Sequence, residues 1–442
     1  MLAIAVSRAD SASVHIGDFL RELREWDRSE DESLPDADGG GTVYRTDGIE
    51  LREFDEWHLH LTDVADAFSD TPELLVFPSR HAGETDELLT AHFTGNFGPA
   101  EYGGDDHALA QACPNAHRRV EQALREYAPE AYEVGMECTH HGPTSVGAPS
   151  MFVEIGSAEP QWDDPAAARA AARAILDLGG VEATTDRTVV GFGGGHYVPR
   201  YERIVRETDW AVGHVAADWC LDEMGLPDRR RDVVSAAFER SDASRAVIEG
   251  DHPKLEAVVE EEGYRVVSET WVREVDGVPL SFAEAVEAEL GEVSEGTRFG
   301  EPATGYDESW TTASLPEELL AEADGVDADA TLAALDETAL AYETTQSGTR
   351  AGTRIAVPAE SDRERVVDAV VDVLRRKYDE VERRDDAVVL HETAFDPELA
   401  SRRGVPEGPK FGKLSAGHSV TVGDETVNPE EVHADERREI EL

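Results

Sequence analysis

Four segments of this chain concentrate imidazole and carboxylate groups where strands should end. Eight of the fifteen histidines lie between residues 81 and 214: His81, His92, His107, His117, His140, His141, His196 and His214. Ser79-Arg80-His81, Thr139-His140-His141-Gly142-Pro143-Thr144 and Gly193-Gly194-Gly195-His196-Tyr197-Val198-Pro199-Arg200 each follow a strand-like run. Glu154 sits near the end of another. Neutral imidazole nitrogen and carboxylate oxygen are ligands for Zn²⁺, and a catalytic zinc keeps one position open for water. Bound zinc acidifies that water, making a nucleophile for a carbonyl carbon. The candidate ligands for one zinc or two are His81, His140, His141, Glu154 and His196. Glu137, His141 and His196 are the candidates for catalysis, with Glu137 or an unused histidine moving the proton. No HExxH helix is present, so separate loops must supply the ligands. His92, within Thr90–Asn96, is either a ligand or a strand residue bonded to its neighbour.

Other chemistries fit less well. Gly193-Gly194-Gly195 follows a strand but leads into His, Tyr and Pro, not GK[ST], so it is no P-loop. It either lets backbone approach a ligand or makes a turn. Ser145 and Ser150 lie near His141 without a GxSxG elbow. Arg80, Arg200 and Arg203 are the nearest cations, suited to phosphate or carboxylate recognition or to a local ion pair.

The elements that must position these residues alternate. Strands are expected at Met1–Val6, Leu74–Phe77, Leu88–Phe93, Tyr132–Cys138, Met151–Ile155 and Thr188–Phe192. Helices are expected at Asn115–Tyr127 (capped by Asn115), from Asp164-Pro165 to about Leu178, and over Glu207–Met224. That alternation predicts an α/β sheet with helices on both faces, its ligands beyond the carboxyl ends of the strands. If the strands share one sheet, the candidate ligands meet at one edge. Residues 276–350, acidic and Ala/Glu-rich, read as a partly helical connector. Residues 351–442 read as a small α/β unit, with a strand at Arg354–Val357, a capping box at Ser361–Glu364, a helix burying Val366, Val367, Val370, Val371, Val373 and Leu374, and a strand at Ala387–Leu390.

Composition bounds the rest. The 442 residues hold 40 Lys+Arg against 95 Asp+Glu, a net charge of −55, yet 40% are hydrophobic, enough for real cores. Only four of the cations are lysines: Lys254, Lys377, Lys410 and Lys413. Such uniform acidity reads as adaptation to a salt-saturated cytoplasm, where the Debye length falls to about 3 Å at 1 M. Counterion release is then largely lost, so the charge neither supports nor excludes an RNA ligand. Cys113, Cys138 and Cys220 lack metal or disulfide spacing and fit a reducing compartment. No apolar run approaches a membrane span, and Met1–Val6 is no secretory signal, so a cytoplasmic monomer without a membrane partner is expected.

Five ordered motifs then carry a resemblance. SRH (79–81), HFTGNFGPAEYGG (92–104), ECTHHGPTS (137–145), FVEIGSAEPQW (152–162) and GFGGGHYVPR (191–200) resemble the archaeal and plant type of D-aminoacyl-tRNA deacylase. The resemblance covers roughly residues 1–275, with the C-terminal third departing from the compact pattern. It implies a three-layer phosphorylase/hydrolase-like fold, zinc, and hydrolysis of the ester joining a D-amino acid to tRNA. Within the motifs, Arg80, Asn96, Thr144 and Arg200 are candidates for substrate contact. Gly404–Leu414, which holds Lys410 and Lys413, is similar to a loop in tRNA-processing metallo-hydrolases. It is read as a contact to the tRNA backbone, or else as a Gly/Pro loop covering the core. The rival functions are a zinc amidohydrolase or peptidase on small substrates, and a tRNA-binding protein with structural zinc.

Overall fold

The computed structural model describes residues 1–442. The chain divides into two units, Met1–Arg273 and Glu274–Leu442.

An eight-stranded sheet runs through the first unit. Its strands are β1 (Leu2–Ser7), β2 (Asp27–Asp31), β3 (Gly41–Thr46), β4 (Ile49–Phe54), β5 (Leu74–Arg80), β6 (Leu88–His92), β7 (Glu133–Met136) and β8 (Ser150–Gly156). In space they run β2-β3-β4-β1-β5-β8-β6-β7. Strands β4, β1, β5 and β8 are parallel; β6 pairs antiparallel with β8 and parallel with β7. This reversal matters for the site. The chain leaves β6 and β7 in the direction opposite to β5 and β8. The loops therefore converge over a face of the sheet, not at the single edge expected.

Three helices cover the other face: α1 (Ser11–Leu23), α2 (Pro114–Tyr127) and, after the short α3 (Glu159–Trp162), α4 (Pro165–Leu176). Ile16 and Leu20 of α1, Val120 and Leu124 of α2, and Ala171 and Ile175 of α4 pack on Ile4, Val76, Met151, Val153 and Ile155. The Asp10 carboxylate starts α1 by accepting from the Ala12 and Ser13 amides. Asp164 accepts from Ala166 and Pro165 occupies the first turn of α4, as expected. Helix α2 begins one residue before the expected cap: Asn115 lies inside it and donates to the Glu182 carbonyl. The site-bearing face buries Ala5, Leu75, Phe77 and Phe152 beneath Val64, Ala65, Phe68, Val146 and Ala148, which belong to loops and 3₁₀ turns. Helices on both faces are thus not what this sheet has. Its second cover is loop, and loops are where site residues are carried.

A second sheet holds β9 (Thr188–Phe192), β10 (Ala211–Ala216), β11 (Arg245–Ile248) and β12 (Arg265–Val266), all parallel, in the order β10-β9-β11-β12. Strand β9 is therefore not in the main sheet. The helix expected over Glu207–Met224 is three elements. They are the end of α5 (Pro199–Glu207), β10, and α6 (Asp218–Met224). Every residue of β10 is buried, and a short, wholly buried run has no periodicity to separate strand from helix. The two sheets join through backbone: the Thr139 amide donates to Val215 and the Cys138 amide to His196.

In the second unit, β13 (Thr297–Phe299), β14 (Thr311–Ser314), β15 (Ala341–Thr345) and β16 (Arg350–Val357) form an antiparallel sheet in the order β13-β15-β16-β14. Residues 276–350 are thus not a connector; they supply most of this sheet and the helix Glu317–Thr338. A further sheet pairs β17 (Glu380–Arg383), β18 (Ala387–Phe395) and, after the hairpin β19 (Val420–Val422) and β20 (Glu425–Val427), β21 (His433–Glu441). Helix Arg363–Leu374 buries the six expected apolar residues against Leu319, Ile355, Val388 and Ile440. Its start is not a Ser361 box: a 3₁₀ turn precedes it, and Asp362 accepts from the Ala359 amide. In the 404–414 loop, Val405 and Leu414 enter a small core with Val420 and Val427. Lys410 donates to the Thr421 carbonyl, which favours the loop as a cover for that core.

Candidate active site

Six side chains, His81, His92, Glu137, His140, His141 and His196, meet over Phe152 and Glu154 of β8. His92 ends β6 directly across from Phe152, and their rings stack at 5.4 Å. His81 follows β5, Glu137 to His141 follow β7, and His196 follows β9. Imidazole ring centroids lie 4.3 Å apart for His92 and His140, 4.4 Å for His140 and His141, and 4.8 Å for His140 and His196. His141 holds φ +48°, a strained conformation for a non-glycine residue that aims its ring inward. Gly156 makes room for His81: a Cβ there would meet the His81 ring at 2.7 Å. The glycines at 193 and 194 prove to be turn residues, with φ +88° at each, packed on Glu249.

The tautomers follow from the acceptors. The Nδ1 of His92, His140 and His141 each lies on a backbone carbonyl: Phe93 at 3.0 Å, Cys138 at 2.8 Å and Gly142 at 2.7 Å. A carbonyl only accepts, so each Nδ1 carries the proton and each Nε2 offers its lone pair. That is how ligating histidines are usually oriented. The ligand atoms of these three residues lie within 4.8 Å of one another. The same holds for Glu137, His140 and His196, and for His81, Glu137 and Glu154. The first and last sets share no residue, so the cluster has donors for one ion or two. The His92 Nε2 and the Glu137 Oε1 are buried and have no hydrogen-bond partner. Buried polar atoms are seldom left so, and two facing one cluster of imidazoles fit a divalent ion.

Glu137 organises the remainder. Its Oε2 accepts from His196 Nε2 at 2.8 Å and lies 3.3 Å from His81 Nδ1. Glu154 lies 3.7 Å from both His81 and His92. Burial would raise both carboxyls, but the histidines outweigh it. Glu137 is held well below the ordinary carboxylate value, and Glu154 is lowered to about 2 by His81 and His92. Burial would likewise lower His81 and His196. Glu137 and Glu154 instead raise His81 to about 11, and Cys138 and Glu137 raise His196 to about 9. Burial and the nearby His92 lower His140, and lower His141 to about 4. Glu154 and Glu137 also raise His92 against its burial, so His81, His92 and His196 are poised to hold protons and His140 and His141 to stay neutral.

The cluster lies in a cavity of about 560 Å³ whose lining includes Arg80, His81, Asn96, His140, His141, Glu154 and His196. Asn96 fastens a loop by donating to the Gly103 and Asp105 carbonyls. Thr144 accepts from the Asp105 amide and lines a neighbouring cavity. Arg200 and Arg203 pair with Glu269 and do not line the site cavity, so the local ion pair is their role. Lys410 and Lys413 belong to the second unit. Cys138, one of the three cysteines without metal or disulfide spacing, sits 3.5 Å from His196 Nδ1. One residue, Asp10, escaped the sequence reading, and His92 was left open by it. Asp10, buried in the cavity wall, accepts from the Ser79 hydroxyl and the Arg80 amide; its signal was only that of a helix cap. His92 was ambiguous because it lies inside a strand. His117 and His214 are structural, donating to the Ala91 and Ala110 carbonyls.

A cavity lined by imidazoles and carboxylates is the site of an enzyme that can hold a divalent ion and move protons. The comparisons narrow the class. The family model for D-aminoacyl-tRNA deacylase matches residues 68–267. A D-aminoacyl-tRNA deacylase of Haloarcula marismortui is 56% identical over 97% of this chain and 97% of its own length. One of Halorubrum lacusprofundi is 55% identical over 98% and 95%. A crystal structure of a conserved protein of unknown function, 28% identical, covers 61% of this chain and 95% of that one with a TM-score of 0.55. The chain belongs to the D-aminoacyl-tRNA deacylase family. The C-terminal third, expected to depart from the compact family pattern, lies outside the family model and is shared with the haloarchaeal relatives, whose matches span both chains nearly end to end. Their source also accords with the acidic composition. No helix is long and apolar enough to cross a membrane.

Proposed function

We propose that this chain hydrolyses the ester of D-aminoacyl-tRNA, releasing the D-amino acid and tRNA in the cytoplasm. The observation that carries the reading is the convergence of three imidazoles, Nδ1 tied to carbonyls and Nε2 without a hydrogen bond, beside the Glu137–His196 pair, with His140, His141 and His196 lining one cavity. His92, His140 and His141 would hold one zinc ion; His81, Glu137 and Glu154 are the donors for a second. Zinc in such a site supplies Lewis-acid polarisation of an ester carbonyl and an acidified water.

The chain's own groups do the remaining work. Glu137 is buried, hydrogen-bonded to His196 and held well below the ordinary carboxylate value, so it stays ionised and orients that ring. His196 is the more accessible partner and can deliver a proton from Nε2 to the ribose oxygen that leaves. His81, bridged between Glu137 and Glu154, balances the two carboxylates.

The test is His141→Ala. Deacylation of D-Tyr-tRNA should fall at least 100-fold while circular dichroism and the melting profile keep a folded form. A folded variant with full activity would remove His141, and this site, from the reaction.

A further inference from the structure

The mouth of the active-site cavity is aromatic in a way that hydrolysis alone does not need. Four large apolar side chains of this chain are notably exposed: Trp57 (38%), Tyr102 (68%), Trp219 (40%) and Leu226 (52%). The three aromatic ones all line the cavity that holds the histidine cluster. Single exposed aromatics are ordinary; their gathering at one opening marks a binding surface. Trp219 lies against the His196 ring, with centroids 6.3 Å apart and planes 26° from parallel.

A cation is built into the same rim. The Arg80 guanidinium lies between two indoles, 4.4 Å from Trp57 and 4.8 Å from Trp162. Each indole is pinned, Trp57 Nε1 donating to the Ala9 carbonyl and Trp162 Nε1 to the His81 carbonyl, both at 3.0 Å. The Arg80 amide is held by buried Asp10. Arg8, Arg21, Arg52, Arg118 and Arg125 all pair with carboxylates, whereas no carboxylate lies within ion-pair distance of Arg80. Arg28 over Tyr44 and Arg173 over Tyr127 are also stacked without an ion pair, but of the three only Arg80 lines the site cavity. Glu101 and Glu223 also line the cavity, so Arg80 is the place for a phosphate to approach.

We propose that Trp57, Tyr102 and Trp219, with Arg80, take the unpaired 3′-terminal nucleotides of the tRNA by stacking, Arg80 meeting a backbone phosphate. This rests on the deacylase reading. Sequence-tolerant capture of single strands uses aromatic platforms for the bases. Stacking also persists at salt concentrations that erase long-range attraction to phosphates.

The test uses the full chain at molar KCl with two arms. The first is binding of a fluorescent single-stranded RNA tetranucleotide ending in CCA. The second is kcat/KM on D-Tyr-tRNA and on D-tyrosine ethyl ester, which has no nucleotides. In Trp57→Ala, Tyr102→Ala and Trp219→Ala, loss of one base stack should weaken tetranucleotide binding roughly 5- to 150-fold. The loss on tRNA should fall on KM and exceed the loss on the ethyl ester at least about tenfold. Tyr102, the most exposed, gives a variant whose fold is not at issue. Equal losses on both esters would assign the rim to the amino-acid side chain. A tetranucleotide that fails to bind the wild type, or binds the variants equally well, would overturn the proposal. If the wild type leaves D-Tyr-tRNA intact, the deacylase reading fails, and the tetranucleotide arm still decides the rim.

Discussion

Two fully buried histidines should lose different amounts of stability on truncation, because only one is satisfied by the protein. His214 uses both nitrogens, Nδ1 with the Thr139 hydroxyl at 3.0 Å and Nε2 with the Ala110 carbonyl at 2.8 Å. His214→Ala removes both bonds, orphans a buried carbonyl and opens a cavity, a loss of about 4 kcal/mol. His92 bonds only through Nδ1, and its Nε2 is an orphan. His92→Ala opens a similar cavity and loses one bond, but it also removes the unsatisfied nitrogen, which offsets about 1–3 kcal/mol. The net loss is then about 2 kcal/mol, leaving a gap of about 2 kcal/mol between the variants. At roughly 2–4 °C per kcal/mol for a unit of this size, zinc-free His92→Ala should melt about 5 °C above zinc-free His214→Ala. Zinc at about 100 times its Kd should add about 2.7 kcal/mol to the wild type and to His214→Ala, and nothing to His92→Ala. The assay is thermal melting at molar KCl after chelation, with and without zinc add-back. If zinc-free His92→Ala melts as low as His214→Ala and still gains the full zinc shift, His92 is a core residue and the ligand assignment is wrong.

Three further outcomes follow from the same groups. Burial holds His117 and His214 each near 4, so their stability is complete above about pH 6.5 and lost as pH falls toward 4. His81 and His196, raised to about 11 and 9, contribute stability that is complete below about pH 6.5 and lost as pH climbs through those values. Melting midpoints of zinc-free protein should therefore peak near pH 6.5–7, and a midpoint still rising at pH 9 would contradict the assignment. Burial raises Glu121 to about 8, so stability drains as pH rises from about 4.5 through 8. Glu121→Gln should flatten that part of the profile, and an unchanged profile would show that Arg125 keeps the carboxylate charged. Asp10→Ala should lower stability by about 3 kcal/mol, combining a lost helix cap with an orphaned Arg80 amide. Asp10→Asn, which still caps, should recover part of it in urea melts; equal losses would mean that the cap is not what Asp10 supplies.

Much of the site was visible in the sequence because imidazoles and carboxylates directly follow apolar runs. His81, Glu137, His140, His141, Glu154 and His196 do meet in the structure. Strand β9 occupies the expected residues. What local pattern could not carry was direction. A strand reads the same whether parallel or antiparallel, so nothing local showed that β6 and β7 run against β8 and bring the cluster onto a face. Strand β10 was hidden between two helices, because a run buried on every side has neither a 2.0 nor a 3.6 period. Arg200 and Arg203 stayed open between phosphate recognition and an ion pair because Glu269, their partner, is more than sixty residues away in sequence. The acidic tone of 276–350 masked the short run of buried residues in β15, Ala341, Tyr342 and Thr344. Asp10 and the aromatic rim depend on contacts between distant segments, which composition and spacing do not encode.

The most direct measurement is deacylation of D-Tyr-tRNA beside L-Tyr-tRNA at molar KCl, before chelation, after chelation, and after zinc add-back. The account expects loss of the D-ester alone, abolished by the chelator and restored by zinc. Equal hydrolysis of D and L esters, or D-ester hydrolysis that survives complete metal removal, would contradict it.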